Sequence, residues 1–318
     1  MIKVGVLRGG PSSEYEVSLR TGQSILDNFS DEFEVKDILV DKNGDWFLDG
    51  FPVMPEKAVK KFNVFFNCLH GAYGEDGKVQ QLLDSINAQY TGSGIIGSAL
   101  AMNKFLAKRT FVLNGIRVPE HMSLRVSPDL NRKLTEIFRT WTMPIVVKPV
   151  ASGSSIGVSL VNDFHDLQQA VASAFNHSAE IMVEEYIRGR EATCGVVENF
   201  RSENLYALLP VEIVKPSKLP FSDYDAKYSG ESEEIIPGRF SKEEKEEIQR
   251  LAKLAHQVLG LRHYSQSDFI VSPHGVYLLE VNTLPRLTEK SLYPKSLEAI
   301  GSSLKEFSGH LVNLALNK

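Results

Sequence analysis

The stretch that most constrains the fold is a predicted hairpin near the carboxyl end, because it sets two acids against each other. Strands at 268–271 and 276–281 flank a Ser-Pro-His-Gly turn, which is typical of a hairpin. With Asp268 opposite Glu280, the two carboxylates repel each other unless a cation lies between them. Mg²⁺ takes one or two carboxylates, phosphate oxygens and water. The pattern predicts a magnesium site at Asp268, Glu280 and Asn282; the alternative is an ordinary hairpin with solvated acids.

Composition limits the class of protein. The 318 residues exceed what one core usually serves, so two or three domains are expected. A formal net charge of −5 argues against nucleic acid as the main partner. Cys68 and Cys194 are the only cysteines, which favours a reducing, cytoplasmic compartment over a disulfide framework. The amino-terminal apolar run is too short for a signal peptide or a membrane span, so no membrane partner is predicted.

The order of elements predicts an α/β protein. A strand at 2–7, a Gly-rich turn and a helix from Glu14 are typical of a doubly wound domain, whose ligands gather at the carboxyl ends of the strands. One helix is predicted over 98–114, and another is predicted to begin with a capping box at Ser241. The segment 217–239 has weak periodicity, which predicts a long functional loop.

Two segments have the composition of nucleotide-binding segments. Lys148 ends a strand before a loop of small residues at 151–157, which offers backbone N–H groups to phosphates; the alternative is a plain surface hairpin. A P-loop is disfavoured because the lysine precedes the glycines. In one interpretation, the run 184–187 presents backbone groups to adenine and Glu191 presents a carboxylate to ribose. The alternative is a solvated acidic strand end. His70, taken alone, fits a structural role as well as a functional one.

Eight short motifs follow one another along nearly the whole chain. They are G-G-x-S-x-E-x-E-V-S (9–18), H-G-x-x-G-E-D-G (70–77), Y-T-G-S-G (90–94), M-x-K (102–104), V-K-P with G-S-S-x-G (147–157), D-Y-x-A-K-Y (223–228), S-D-F (267–269) and L-E-x-N-T-x-P with S-L (279–292). In this order they resemble the motifs of the D-alanine–D-alanine ligases, which are members of the ATP-grasp superfamily.

The resemblance implies an ATP-grasp fold with an N-terminal doubly wound (pre-ATP-grasp) domain. The expected domains are 1–97, 98–187 and 188–318, with ATP between the second and the third. In the implied reaction, ATP phosphorylates the carboxylate of one D-alanine. The amine of a second D-alanine then displaces phosphate and yields D-alanyl-D-alanine for peptidoglycan. A homodimer is also implied.

The resemblance also assigns the metal and nucleotide residues. Two Mg²⁺ ions, or Mn²⁺ in their place, would bind with Asp268 on one ion, Glu280 bridging both and Asn282 on the second. The residues implied in holding the nucleotide are Lys104, Lys148, Ser155 and Lys227 near the phosphates, Glu184, Glu185 and Ile187 at adenine, and Glu191 at ribose.

For the amino acids, the resemblance implies that Glu14 receives the ammonium of the first D-alanine and that His70 lies near its carboxylate. Ser291 and Leu292 would position the carboxylate of the second D-alanine. Glu14, Ser154 and Tyr228 would form a hydrogen-bonded trio that pins the lid loops and excludes water. Relatives that use D-lactate lack this tyrosine, so Tyr228 favours an amine acceptor.

The sequence departs from the family pattern at the implied oxyanion site. Gln266 stands where the family has arginine, and Arg286 stands where it has glycine. Loss of one oxyanion donor typically costs roughly 10²–10³ in rate. One hypothesis is that Arg286 returns a guanidinium to the same space; the other is that both positions drifted and the enzyme is impaired. His263, where the family often has glycine, adds a local change in backbone shape.

Two alternative functions follow from these departures. The first is an ATP-grasp ligase with a shifted amino-acid preference, and the second is a nucleotide-binding relative without turnover.

Overall fold

The computed structural model describes residues 1–151, 157–215 and 233–317, and these ranges form three β-sheets with helices packed on them. The first sheet has the order β4-β3-β2-β1-β5, with β1 parallel to both of its neighbours. The strands β1 and β5 are buried over most of their length, in keeping with the apolar run of β5, whereas β2 is mostly half-buried. The elements of this part are β1 (Ile2–Gly9), α1 (Tyr15–Leu26), β2 (Phe33–Val40), β3 (Trp46–Leu48), β4 (Phe51–Pro52), α2 (Pro55–Ala58), β5 (Val64–Asn67) and α3 (Lys78–Ser85).

The second sheet is antiparallel and has the order β6-β9-β7-β8. The elements around it are α4 (Ile95–Met102), α5 (Lys104–Leu113), β6 (His121–Arg125), α6 (Leu130–Thr140), β7 (Ile145–Pro149), β8 (Ser159–Val161), α7 (Phe164–Phe175) and β9 (Glu180–Glu185).

The third sheet has the order β13-β12-β10-β14-β15, with β11 paired to β10. Its elements are β10 (Arg190–Phe200), β11 (Glu203–Ala207), β12 (Val211–Val214), β13 (Glu233–Ile235), α8 (Lys242–Val258), β14 (Tyr264–Ser272), β15 (Gly275–Asn282), α9 (Leu292–Ala299) and α10 (Leu304–Leu316). Most of the segment 217–239 lies outside the described residues. Its described end begins with β13, so the prediction of loop throughout is wrong there.

The predicted helix 98–114 is two helices. The backbone of Asn103 leaves helical geometry at ψ 93°, and its side chain accepts a hydrogen bond from the N–H of Leu106 at 3.0 Å. Asn103 therefore caps α5, which begins at Lys104. The capping box at Ser241 is confirmed, because Ser241 and Glu244 exchange side-chain to backbone hydrogen bonds at the start of α8.

One apolar core joins the first and third sheets, and the second sheet has a separate core. The shared core includes Val4 and Phe66 from the first sheet, Tyr264 from β14 and Phe307 from α10. The rings of Tyr264 and Phe307 lie 5.4 Å apart at 84°. The separate core is built between the second sheet, α6 and α7. The helices α4 and α5 pack into the core of the third sheet.

Candidate active site

The predicted pairing of the two acids is confirmed: Asp268 on β14 lies opposite Glu280 on β15. Nearer the turn the register is shifted by one residue from the predicted one, so that Phe269 faces Leu278. The strands are longer than predicted, and a bulge follows Asp268. The hydroxyl of Thr193 on β10 donates to Oδ1 of Asp268 at 2.7 Å. Nζ of Lys104 lies 3.1 Å from Oε2 of Glu280. The two acids are thus held from both sides, one by a hydroxyl and one by an ammonium.

These residues fit a hard divalent cation. By strand alternation, Glu280 and Asn282 share a face of β15, and the three candidate side chains offer only oxygen donors from two carboxylates and one amide, as Mg²⁺ prefers. Within residues 1–151, 157–215 and 233–317, no three His, Cys, Asp or Glu side chains gather as a metal cluster. A site with few protein ligands suits an ion that keeps water and phosphate oxygens.

A second group of charges is buried between α5 and the second sheet. Nζ of Lys108 lies 3.0 Å from Oε1 of Glu184, and Nζ of Lys148 lies 2.5 Å from Oε2 of the same carboxylate. Lys108 also donates to the carbonyl of Leu278 on β15 at 3.5 Å. Burial lowers the pKa of Lys108 to about 8, although Glu184 offsets part of that effect. Burial would raise the pKa of Glu184, but the two lysines together hold it below its usual value.

A third group lies in the turns that follow β1, β5 and β15. Nη2 of Arg286 is 3.6 Å from Oε1 of Glu14, which is buried. Nε2 of His70 shares a hydrogen bond with Oγ1 of Thr21 at 2.8 Å. Burial lowers the pKa of His70 to about 4; Glu14 opposes this and Arg286 adds to it. His70 is therefore neutral at physiological pH.

Glu75 belongs to this third group, and sequence reasoning did not assign it. Its Oε2 accepts the N–H of Gly71 at 2.8 Å, and its Oε1 accepts the N–H of Leu284 at 3.2 Å. Burial raises the pKa of Glu75 to about 8, and the nearby Glu14 adds to the rise. Glu75 therefore ties the turn after β5 to the turn after β15. The only signal was its place in the H-G-x-x-G-E-D-G motif.

The other nucleotide candidates lie at strand ends. Glu191 at the start of β10 forms an ion pair with Lys215. Glu185 ends β9, and its N–H donates to the carbonyl of Glu120 at 2.8 Å. Ile187 is in the segment between β9 and β10.

The remaining candidates divide into two sets. Ser291 is the N-cap residue of α9 and shares a hydrogen bond with Thr288 at 2.6 Å, and Leu292 is the first residue of that helix. Gln266 lies between Gly195 and Asn282 in the third sheet. The candidates outside the described residues are Ser154, Ser155, Lys227 and Tyr228.

Comparison with known proteins identifies the class and then the family. The fold is similar to that of D-alanyl-alanine synthetase A from Vibrio cholerae (TM-score 0.88, 29% identity, 99% of each chain). It is also similar to the VanG D-Ala:D-Ser ligase from Enterococcus faecalis (TM-score 0.85, 28% identity, 99% of each chain). The fold and the hairpin site define an ATP-grasp enzyme with an additional N-terminal domain.

The sequence narrows this class to one family. The model described as "D-ala D-ala ligase N-terminus" matches residues 3–54 and 49–93, and the model described as "D-ala D-ala ligase C-terminus" matches 111–313. The D-alanine–D-alanine ligase from Halalkalibacterium halodurans is 41% identical to this chain, and the match covers 100% of both proteins. The D-alanine–D-alanine ligase from Syntrophobacter fumaroxidans is 36% identical, and the match covers 99% of this chain and 98% of the relative. The chain belongs to the D-alanine–D-alanine ligase family. Among the described residues, no helix is both long and apolar enough to cross a lipid bilayer.

Proposed function

We propose that this protein uses ATP to join two D-alanines through an acyl phosphate, giving D-alanyl-D-alanine for peptidoglycan precursors. One observation carries the proposal: across one hairpin, Asp268 and Glu280 face each other with Lys104 at 3.1 Å from Glu280. This arrangement can organise a triphosphate and a metal ion beside an amino acid, and family membership supports D-alanine as that amino acid.

Asp268, Glu280 and Asn282 would hold two Mg²⁺ ions, with Glu280 shared between them. When bound, Mg²⁺ would neutralise charge on the phosphate oxygens. The hydrogen bond from Thr193 fixes one carboxylate oxygen of Asp268, so the ligand is already oriented before an ion arrives. Mn²⁺, which also accepts oxygen ligands, would substitute.

The lysines act on the nucleotide as point charges. Lys104 is the first residue of α5 and pairs with Glu280 of the hairpin, and Lys148 lies near the end of β7. Lys227 and Ser155 complete the proposed phosphate contacts. The residues proposed to bind adenosine are Glu184, Glu185 and Ile187 for adenine and Glu191 for ribose. Because Lys215 pairs with Glu191, a ribose hydroxyl would share that carboxylate with an ammonium.

On the amino-acid side, buried Glu14 would accept the ammonium of the first D-alanine. Neutral His70, whose ring is held by Thr21 and by the backbone of Leu284, would lie near its carboxylate. Ser291 and Leu292, at the N-terminus of α9, would bind the carboxylate of the second D-alanine, since a helix N-terminus favours an anion. The trio of Glu14, Ser154 and Tyr228 would exclude water from the acyl phosphate.

For the oxyanion of the tetrahedral intermediate, we propose that Arg286 replaces the charge that Gln266 lacks. The guanidinium of Arg286 reaches the acid proposed to bind the first D-alanine, at 3.6 Å. Arg286→Gly is then expected to lower kcat roughly 10²–10³-fold, and Gln266→Arg/Arg286→Gly to restore it in steady-state assays. An unchanged rate in the single variant would contradict the replacement.

The three sheets support division into domains 1–97, 98–187 and 188–318, with α4 and α5 lending apolar side chains to the third sheet. We also propose a cytoplasmic homodimer. Exposed apolar side chains on α4 and α5 support a protein contact there: Ile96 is 80% exposed and Leu113 is 83% exposed.

Phosphate release tests the function directly. The protein is incubated with ATP, Mg²⁺ and a panel of D-amino acids, and D-alanine-dependent release with D-alanyl-D-alanine as product is expected. Faster release with another acceptor, such as D-serine, would support a shifted preference, which the changes at Gln266 and Arg286 favour. Nucleotide binding without release would contradict ligase activity and support the non-catalytic alternative.

A further inference from the structure

Lys108 is a fully buried lysine that the proposed mechanism does not use. It lies one helical turn after Lys104 on α5, at 0% exposure. Its ammonium is 3.0 Å from Glu184, and the neighbouring Lys148 is 2.5 Å from the same carboxylate. Lys148 retains some exposure at the end of β7, which leads into the small-residue loop.

The charges of this cluster do not balance. Two ammonium groups meet the carboxylate of Glu184, and the other acid that acts on Lys108, Glu280, is already paired with Lys104. The cluster of Lys108, Lys148 and Glu184 therefore has one positive charge in excess. A buried charge without a partner costs free energy, and a buried ion pair is itself weak support for stability. Stability therefore gives no reason for the second lysine, whereas an anion that arrives with the substrate does.

We infer that Lys108 is a positioning residue that neutralises Glu184 so that the charge of Lys148 is available to the nucleotide phosphates. With Glu184 and Lys148 alone, the pair would be neutral and its attraction for a phosphate would be largely cancelled. When Lys108 neutralises Glu184, the cluster keeps a net positive charge that attracts the phosphates. The ammonium of Lys148 is then the group that contacts them. This inference rests on the proposed nucleotide site.

A purely structural role for Lys108 has a different signature. Lys108 links α5, which packs on the third sheet, to Glu184 on the second sheet. If it served only as this link, its loss would weaken the binding of adenosine and ADP alike, or would lower only the melting temperature. If it sets the charge at the phosphates, its loss weakens ADP binding and spares adenosine.

The test compares the dissociation constants of ADP and adenosine, with Mg²⁺ present, by calorimetry on the full chain. The ratio of the two constants cancels effects on the adenine contact. Lys108→Met should reduce the preference for ADP about ten- to a hundredfold, as expected for loss of a charged hydrogen-bond partner. Lys108→Arg, which keeps the charge, should retain it. An unchanged preference in folded Lys108→Met would overturn the inference.

A double-mutant cycle with Glu184→Gln keeps the inference falsifiable even if Lys108→Met does not fold. Once the carboxylate is gone, Lys108 has nothing to neutralise. Glu184→Gln and Lys108→Met/Glu184→Gln should therefore prefer ADP over adenosine to the same degree, within about threefold. A tenfold or larger loss in the double variant would mean that Lys108 acts on the phosphates directly, and the inference would be wrong.

Lys148→Met separates this inference from the proposed function. If Lys148→Met leaves the preference for ADP intact, the proposed phosphate site is wrong and the inference falls with it. If Lys148→Met reduces the preference and Lys108→Met does not, the site stands and only the role of Lys108 is refuted.

Discussion

The charged groups of the site form two regions that are built differently. The lysine-rich side consists of Lys104, Lys108, Lys148, Glu184, Asp268 and Glu280. These residues lie on strands and on one helix, and Glu184 and Glu280 have an ammonium within 3.1 Å. The loop side consists of Glu14, His70, Glu75 and Arg286. These residues lie in turns, and their contacts are backbone N–H groups, a hydroxyl and one longer ion pair.

The two sides differ in what sets the pKa values of their charged groups. On the lysine-rich side, opposite charges meet directly, and the pKa of Glu184 stays below its usual value. On the loop side, burial dominates, so that the pKa of His70 falls to about 4 and that of Glu75 rises to about 8. The first side is suited to highly charged phosphates, and the second to a zwitterion that brings its own charges.

The largest effect is expected from Asp268→Asn on the lysine-rich side. Loss of one carboxylate charge at the cation should lower kcat roughly 10²–10³-fold, the scale on which a single catalytic electrostatic contact acts. Turnover is measured across a Mg²⁺ titration. Thr193→Val is the matched control: it removes the hydroxyl that holds Asp268 and contacts the carbonyl of Ser267, but it leaves the carboxylate in place. Mg²⁺ affinity should therefore fall about 10–100-fold while saturating Mg²⁺ restores kcat. Wild-type turnover in Asp268→Asn would refute the metal site.

On the loop side, Glu14→Gln should act mainly on the binding of the amino acid. The substitution removes the charge that would receive an ammonium, and KM for D-alanine should rise roughly tenfold or more. KM for ATP should rise much less, because Glu14 is not among the residues proposed to bind the nucleotide. Initial rates with each substrate varied in turn give both constants, and a parallel rise in KM for ATP would break the distinction between the two sides.

Glu75→Gln is expected to change how stability depends on pH. Because folding raises the pKa of Glu75 from 4.5 to about 8, the folded protein binds the proton more tightly between those values. Its contribution to stability is present below pH 4.5 and is lost as pH rises toward 8. Melting temperatures from pH 5 to 8 should fall less steeply in Glu75→Gln than in the wild type. If the melting temperatures of the two proteins fell equally steeply with pH, the pKa of Glu75 would not be raised by folding.

The smallest effect is expected at the start of α8, whose residues belong to neither side. Ser241→Ala removes one of the two hydrogen bonds of the capping box of α8, the one that the Ser241 hydroxyl accepts from the N–H of Glu244. The free energy of unfolding should fall by about 1 kcal/mol. Urea denaturation measures the change. KM for ATP and for D-alanine should both stay unchanged, which makes this variant a reference for pure loss of stability. A selective change in either constant would mean that α8 communicates with one side of the site.

The sequence predicts the lysine-rich side and the loop side to different extents. Strand patterns predicted that Asp268 and Glu280 lie close together across the hairpin, but turn length alone does not make them face each other. Regular pairing from the turn would set Asp268 opposite Leu279, and the bulge after Asp268 shifts its partner to Glu280. Lys148 at a strand end was predictable from the strand pattern. Lys108 was not, because a lysine within an amphipathic helix is usually solvated, and only the packing of α5 on the third sheet buries it.

The loop side was predictable only by resemblance. No periodicity brings the turn after β5 to the turn after β15, and the hydrogen bond from Leu284 to Glu75 joins residues far apart in the chain. The break at Asn103 was also missed, since apolar spacing continues across it while the capping side chain ends one helix and starts the next. Local patterns thus predicted most elements and the pairing of the two acids, whereas tertiary contacts and the hairpin bulge decided the rest.

The separate core of the second sheet has a mechanical consequence. Because the first and third sheets share one set of packed rings, they should rotate together, whereas the second sheet can pivot without tearing an apolar core. The buried link from Lys108 to Glu184 spans that pivot. We therefore expect the angle between the second sheet and the rest of the molecule to be the coordinate along which the protein admits nucleotide and releases product.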